Sequence, residues 1–284
     1  MLFQPNTSSQ ITKFLHNPSH GLLLAGPEGS GKMHTAIYIA AELLDQPVDS
    51  TQSYPYFTII SSIDQTIGID QIRELQKFLH LKTLGDQRIR RIAVIVDAHL
   101  MTQEAQNALL KSLEEPPSDT VLILTATKDS RLKNTVLSRV QQITISPIEY
   151  SAAHEYYKNT VDESVIKKAY LMSGGRIGLM HALLYDQEHR FATEIIHAKQ
   201  ILAASRFDRL TRIDEFANNK ERIPTFLQAC KLICSTALEQ TAKSDNLVQT
   251  KRWHSALDAI LKAESSLSVN PSIKLLMTDL MLRI

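Results

Sequence analysis

Cysteine is nearly absent. The 284-residue chain carries two, Cys230 and Cys234, too few for a disulfide framework or for a four-cysteine zinc site. Spaced four apart in FLQACKLICSTAL, they fall on one helical face and read as small buried packing residues; a role as metal ligands is the alternative. Long hydrophobic runs are missing too. No apolar stretch approaches the ~20 residues of a membrane span, and the start MLFQPNTSSQ lacks a basic region followed by a long apolar core, so no membrane partner and a cytoplasmic location are expected. Nor is there an excess of one charge. The 31 Lys and Arg against 30 Asp and Glu leave a formal +1, which supplies no global attraction to nucleic acid or anionic lipid. Any DNA contact must come from a local patch or from partners. Repeats and low-complexity segments are also absent. What remains, 43% hydrophobic and 21% charged residues, is the composition of a globular protein long enough for two or three compact units.

The N-terminal third has the order strand, glycine loop, helix. Gly21 to Ala25 is a short apolar run; Gly26-Pro27-Glu28-Gly29-Ser30-Gly31-Lys32 follows, and Met33 to Leu44 reads as a helix. Such glycines let backbone N–H groups turn inward around a phosphate at a helix N-terminus, while the lysine reaches the outer phosphates. Gly26, Gly29, Gly31 and Lys32 are therefore candidate nucleotide-binding residues. The next position should carry a hydroxyl to ligate the nucleotide's Mg²⁺. Here it is Met33, whose thioether prefers soft metals, and Thr35 lies too far along the helix to replace it.

A second strand, Arg91 to Val96, closes on Asp97. An apolar strand ending in an aspartate suits a carboxylate holding Mg²⁺ through water at the carboxyl edge of a parallel sheet. The following residue, which would polarise an attacking water, is Ala98. His99, one residue further, is read as structural. Two departures, at Met33 and Ala98, thus weaken metal-assisted phosphoryl transfer.

Downstream lies Asn107-Ala108-Leu109-Leu110-Lys111-Ser112-Leu113-Glu114-Glu115-Pro116-Pro117. Local chemistry makes it a helix with Thr102 as cap, Ala105, Leu109 and Leu113 as apolar stripe, and the proline pair as stop. Thr120 to Thr127 reads as a buried β-branched strand. Together with Leu137-Ser138-Arg139-Val140, this segment resembles the clamp-loader branch of the AAA+ family, which includes delta-prime and gamma/tau subunits of bacterial DNA polymerase III and, more distantly, replication factor C. His20-Gly21-Leu22-Leu23 and Ile69-Asp70-Gln71-Ile72-Arg73-Glu74-Leu75 are similar to further motifs of that branch.

The resemblance implies an α/β, RecA-like AAA+ P-loop domain with a parallel sheet over residues 1–147, a small helical lid over 148–186, and an all-helical collar over 187–284. It implies a phosphate sensor at Thr127, with Thr125 as the other choice, and an arginine finger, Arg139, that acts in trans on the nucleotide of a neighbour. Val140 replaces the usual cysteine of the finger motif. The four-cysteine zinc module of many relatives is missing, since Asp45 to Tyr56 is a short cysteine-free bridge, so no zinc or other resident metal is expected. In the lid, Gly178 stands where gamma-type subunits carry a second sensor arginine, and Arg176 is out of register. The stretch Val269-Asn270-Pro271-Ser272-Ile273-Lys274-Leu275 is similar to the start of the terminal collar helix, and Trp253 reads as collar core.

Taken together, the resemblance implies a stator-like subunit of the delta-prime type. It would bind ATP or ADP weakly or not at all, with Mg²⁺ only alongside nucleotide, and would donate Arg139 to a gamma/tau ATPase. Its implied partners are gamma/tau and delta subunits, the sliding clamp, and primer-template DNA within the complex. The alternative is an active gamma/tau-like ATPase. A stand-alone AAA+ remodeller requires the NALLKSLEEPP segment to be coincidental. Arg88, Arg90 and Arg91, with Lys77 and Lys82, read as a solvated strand flank or as a phosphate-facing patch.

Overall fold

Leu22, Leu23 and Leu24 lie in succession on one strand, and both faces of that strand are buried, as a central strand of a parallel sheet requires. The computed structural model describes residues 2–63, 66–127, 132–186, 190–243, 246–267 and 271–284. The chain divides into two units, Met1–Glu149 with Arg176–Gly178, and Tyr150–Gly175 with Leu179–Ile284.

In chain order the first unit contains α1 (Pro5–His16), β1 (Gly21–Ala25), α2 (Lys32–Leu44), α3 (Val48–Thr51), β2 (Phe57–Ile60), α4 (Ile69–Leu79), β3 (Arg91–Ile95), α5 (Gln103–Glu114), β4 (Thr120–Ala126), α6 (Asn134–Leu137) and β5 (Gln141–Thr144). All pairings are parallel, in the order β2-β3-β4-β1-β5. The pleat sorts alternate residues to opposite faces. Leu22, Leu24, Ile92, Val94, Val121 and Ile123 pack with Ile11, Phe14, Ile39 and Leu44 of α1 and α2. Leu23, Ala93, Ile95, Leu122 and Leu124 pack with Ile72, Leu75, Leu109 and Leu113 of α4 and α5. Each such aliphatic side chain, fully buried, contributes about 1.5–3 kcal/mol. A large-to-small change at Leu109, which is completely buried, would cost about 2–5 kcal/mol.

Local signals set the ends of α5. The Thr102 hydroxyl accepts a hydrogen bond from the Ala105 N–H at 3.2 Å, and the helix stops at Glu114 ahead of the proline pair. The strands end one residue earlier than the sequence suggests, β3 at Ile95 and β4 at Ala126, because the chain turns there into the loops that carry Asp97 and Thr127.

Arg91 is neither a solvated flank nor part of a phosphate-facing patch. It is only 1% exposed, and its guanidinium donates to the carbonyls of Leu79 and Leu81. The ring of Phe78 lies beneath it, with its centroid 5.7 Å away. These contacts satisfy the carbonyl of Leu79, the last residue of α4, and that of Leu81 just beyond the helix. Burial pushes the Arg91 pKa down, with Asp119 opposing. Arg90 donates from Nε to Asp119 Oδ2 at 3.1 Å. Of the expected basic cluster, Lys77, Lys82 and Arg88 remain exposed.

The second unit contains α7 (Tyr150–Tyr157), α8 (Glu163–Ser173), the body of α9 (Ile177–Tyr185), α10 (Arg190–Ala203), α11 (Arg206–Thr211), α12 (Ile213–Asn218), α13 (Ile223–Lys243), α14 (Leu247–Leu267) and α15 (Ile273–Arg283). Among the described residues it has no strand. Residues of the expected lid and of the expected collar fall here, apart from 148–149 and Arg176–Gly178, which belong to the first unit. Cys230 and Cys234 are buried in its core with Ile195, Phe226, Ile260 and Met277. Burial raises both thiol pKa values, that of Cys234 to about 12. Trp253 packs partly buried against this core, with the Arg252 guanidinium 5.2 Å from its ring centroid. The last helix begins at Ile273 behind Ser272, two residues beyond Pro271; Asn270 lies outside the described residues.

Candidate functional site

Because every strand of the sheet is parallel, the loops that follow β1, β3 and β4 leave at one carboxyl edge. That topology brings together Gly26, Gly29, Gly31, Lys32 and Met33 after β1, Asp97 after β3, and Thr127 after β4. Gly26 donates its N–H to the Ala126 carbonyl at 3.2 Å, which joins the loop to the end of β4. Gly29 and Gly31 have φ of 76° and 83°, the left-handed region that glycine enters without a Cβ clash. The turn therefore forms as the glycine spacing predicts.

Within this loop Lys32 is folded back. It is 8% exposed, and its Nζ donates to the carbonyls of Gly26 at 3.0 Å and Pro27 at 2.9 Å. Burial lowers its pKa, while the negative charges of Asp97 and Glu28 oppose the shift. Met33 packs, partly buried, against the apolar layer between the sheet and α2. Thr35 is buried and donates its hydroxyl to the Gly31 carbonyl at 2.9 Å. The Thr35 hydroxyl is thus spent on a backbone carbonyl, and Met33 has none, so neither offers a free hydroxyl to a metal-bound nucleotide.

Asp97 sits at φ 51°, a left-handed conformation that Asp tolerates better than most residues. Its N–H donates to Thr125 Oγ1 at 2.9 Å. Thr125 is thus committed to holding the Asp97 turn, whereas Thr127 follows the end of β4 and is half-buried. The polar residue in an otherwise apolar strand was the available signal for Thr125. Ala98 is completely buried and begins the 3-10 turn Ala98–Leu100. His99 belongs to the same edge: burial lowers its pKa, with Asp97 opposing and Lys32 adding to the shift. Its Nδ1 and the hydroxyl of Ser30 are buried without a hydrogen-bond partner.

Residues Arg176–Gly178, part of the first unit, close the loop. Arg176 Nη1 donates to the Glu28 carbonyl at 3.1 Å, so an arginine reaches this edge from two positions before Gly178. A Cβ placed on Gly178 would lie 2.8 Å from Gly31 N and 2.9 Å from Gly29 O; only glycine permits so close an approach. The backbone of this chain therefore lies directly against the glycine turn.

Arg139 is elsewhere. It precedes β5, and its carbonyl lies beside Gly21 at the beginning of β1. That is the amino edge of the sheet, and the five residues of β1 separate it from the glycine loop by roughly 16 Å. Its Nη2 is 2.7 Å from Glu114 Oε1, and its Nη1 donates to the Thr135 carbonyl at 2.9 Å. Among the described residues no cluster of His, Cys, Asp or Glu is arranged to hold a metal ion, and no helix is long and apolar enough to cross a membrane.

A glycine loop after a central strand, an aspartate at the end of a second strand in the same parallel sheet, and a helical unit downstream define a RecA-like AAA+ P-loop protein. Over 98% of its length the chain superposes on a DNA polymerase III gamma subunit-related protein of Thermotoga maritima, with a TM-score of 0.57, 17% identity and 97% of that chain covered. The chain belongs to the family described as DNA polymerase III, delta subunit, whose model matches residues 4–149. It is 35% identical over 141 residues to the DNA polymerase III subunit delta' of Pseudomonas aeruginosa, covering 44% of this chain and 42% of that one. Against subunit delta' of Bacillus subtilis it is 27% identical over 165 residues, or 51% of this chain and 50% of the other. Against subunit tau of the same organism it is 28% identical over 218 residues, 68% of this chain and 38% of the other. The matched stretches thus span half or less of these curated relatives' own length.

Proposed function

We propose that the chain is a stator-like, delta-prime-type clamp-loader subunit that donates Arg139 to the nucleotide site of a neighbouring gamma/tau-type subunit. One observation carries this reading. Arg139 stands at the amino edge of the sheet while the P-loop stands at the carboxyl edge, so the guanidinium has no route to the phosphate position of its own chain. A finger facing away from its own loop suits a trans contact, in which arginine stabilises charge on a phosphoryl group held by another subunit.

The state of the P-loop supports the second half of the proposal, that this chain binds ATP or ADP weakly or not at all. Lys32 is satisfied by carbonyls, Met33 packs against the core, Ala98 offers no base, and the backbone at Gly178 lies on the glycine turn. As arranged, these residues do not fit a triphosphate with Mg²⁺. A second reading, an active gamma/tau-like ATPase, is favoured by the unpartnered Ser30 hydroxyl and His99 Nδ1, which a polar ligand would satisfy.

Gamma/tau and delta subunits, the sliding clamp and primer-template DNA are the partners that go with the leading reading. Reconstitution tests it: the chain should co-elute with gamma/tau and delta subunits of its own source, and DNA- and clamp-stimulated ATP hydrolysis should require it. Failure to co-elute would return the third reading, an AAA+ protein acting outside replication.

A further inference from the structure

The apolar stripe of α5 accounts for Ala105, Leu109 and Leu113 of the NALLKSLEEPP region. It leaves the polar residues of the helix unexplained. Three of them bond to the segment that carries Arg139. Gln106 Oε1 accepts from the Lys133 N–H at 3.0 Å, and Asn107 Oδ1 accepts from Lys133 Nζ at 2.9 Å. Two turns further along α5, Glu114 Oε1 pairs with Arg139 Nη2 at 2.7 Å. Leu132, just before the first anchor, and Val136, between the two, are buried in the same layer as α5. The finger segment is therefore fastened to one helix at both of its ends.

The far end of that mount is also tightly packed. A Cβ on Gly21 would meet Val140 Cγ1 at 3.0 Å, the Arg139 carbonyl at 3.1 Å and Leu113 Cδ2 at 3.3 Å, so the first residue of β1, the end of α5 and the arginine turn fill one volume. Within that volume the Arg139 backbone is fixed, since its N–H donates to the Val136 carbonyl at 3.0 Å. The side chain, however, has several free torsions, and a finger whose head wanders loses effective concentration at its target. The Thr135 carbonyl at 2.9 Å and the Ser138 hydroxyl at 3.3 Å hold one terminal nitrogen, Nη1. Glu114 holds the other.

We propose that Glu114 is a positioning residue for Arg139, orienting its guanidinium for the neighbour's phosphate; this rests on the trans-acting reading above. A single carboxylate oxygen on one terminal nitrogen is suited to the task. It fixes the plane of the guanidinium and leaves Nε and the remaining N–H directions for a phosphate.

The test is a double-mutant cycle in the reconstituted complex of this chain with gamma/tau and delta subunits, on primed DNA with clamp. The quantity read is the Arg139-dependent part of ATP turnover, wild type minus Arg139→Ala. Glu114→Ala should lower the kcat of that part about two- to five-fold, the fold-change to which an exposed ion pair corresponds, with KM for ATP unchanged. Glu114→Gln, which retains one acceptor, should fall between. In the Arg139→Ala background Glu114→Ala should add nothing, and the melting temperature of the isolated chain should barely move. Turnover unaffected by Arg139→Ala would refute the trans reading itself. If Arg139→Ala is damaging while Glu114→Ala is silent, raises turnover, or adds its effect on top of Arg139→Ala, the finger reading stands and the positioning role is wrong.

Discussion

Arg176 hydrogen-bonds through Nη1 to the carbonyl of Glu28, 148 residues away in the chain, at 3.1 Å. Two residues on, Gly178 lies against Gly29 and Gly31, where a single added methyl group would lie within 3 Å of backbone atoms. Backbone cannot retreat as the end of a flexible side chain can. Gly178→Ala is therefore expected to lower the stability of the first unit by about 1–3 kcal/mol. Hydrogen exchange should show the loss of protection concentrated at Gly29 to Lys32. Protection unchanged at those amides would mean that the approach is not tight in solution.

The closed loop has a counterpart in ligand response. A protein that binds nucleotide in its folded state gains stability with nucleotide concentration. The isolated wild-type chain should show no rise in melting temperature with millimolar ATP and Mg²⁺, and Lys32→Ala should leave that flat response unchanged. A dose-dependent rise lost in Lys32→Ala would support the active-ATPase reading.

Arg91 is expected to behave as a buried structural cation. Arg91→Met keeps an apolar stem over the Phe78 ring but strips the donors from the Leu79 and Leu81 carbonyls. Leaving such acceptors unpaired costs about 2–4 kcal/mol, which chemical denaturation would register as a lower midpoint. DNA affinity of the complex should be unaffected once folding is complete. By contrast, Lys82 and Arg88 are exposed, and any DNA attraction at this flank should be weak and fall steeply with salt.

Glu194 links the second unit to pH. Burial pushes its carboxyl pKa up, but the Arg222 hydrogen bond and charge, with His197 close by at 3.7 Å, outweigh that and leave it below the ordinary value. Its Oε1 is 2.7 Å from Arg222 Nε. A carboxylate with a depressed folded-state pKa stabilises the fold above the unfolded value, near about pH 4.3, and the contribution is lost as pH falls through the folded value. Asp119 in the first unit shifts in the same direction, with hydrogen bonds from Thr83 and Arg90 overcoming burial. Stability measured by urea denaturation should therefore decline below about pH 5 through these carboxylates, after a smaller loss that starts near about pH 6.5, where His99, its pKa lowered by burial, begins to take up a proton in the unfolded chain but not in the fold. In Glu194→Gln the acid decline should be shallower, and an identical slope would remove Glu194 from the explanation.

Both thiols should be inert in the folded protein. Cys230 and Cys234 are completely buried and their pKa values are raised by that burial, so the thiolate that reacts is scarce as well as covered. Labelling by a maleimide should proceed only as fast as the second unit opens, and Cys234→Ser, by costing stability, should speed the labelling of Cys230 in proportion.

How much of this was legible in the sequence depended on the range of the contact. Gly29 and Gly31 announce the turn because positive φ is a local demand, and Thr102 with Pro116-Pro117 bounds α5 because capping and termination act within a few residues. Alternation along β1, β3 and β4 was less visible, since both faces are buried and the runs are uniformly apolar. Arg91 was misread because its partners, the carbonyls ending α4, lie on an element packed beside the strand rather than next to it in sequence. Arg176 is out of register with the second sensor position, yet a guanidinium is long enough to reach the loop from a displaced register. The Arg139–Glu114 pair depends on α5 crossing the whole sheet, about 18 Å for its 12 residues, which no local pattern reveals.

Steady-state ATP turnover of the reconstituted gamma/tau, delta and stator-type complex on primed DNA with clamp, compared for wild type, Arg139→Ala and Lys32→Ala, addresses the trans-acting role most directly. Arg139→Ala should silence the neighbouring site it serves, since an arginine finger contributes about 10³–10⁵ in kcat, while Lys32→Ala should leave turnover nearly unchanged. Greater damage from Lys32→Ala than from Arg139→Ala would mean that this chain is itself a working ATPase and that its P-loop opens to nucleotide.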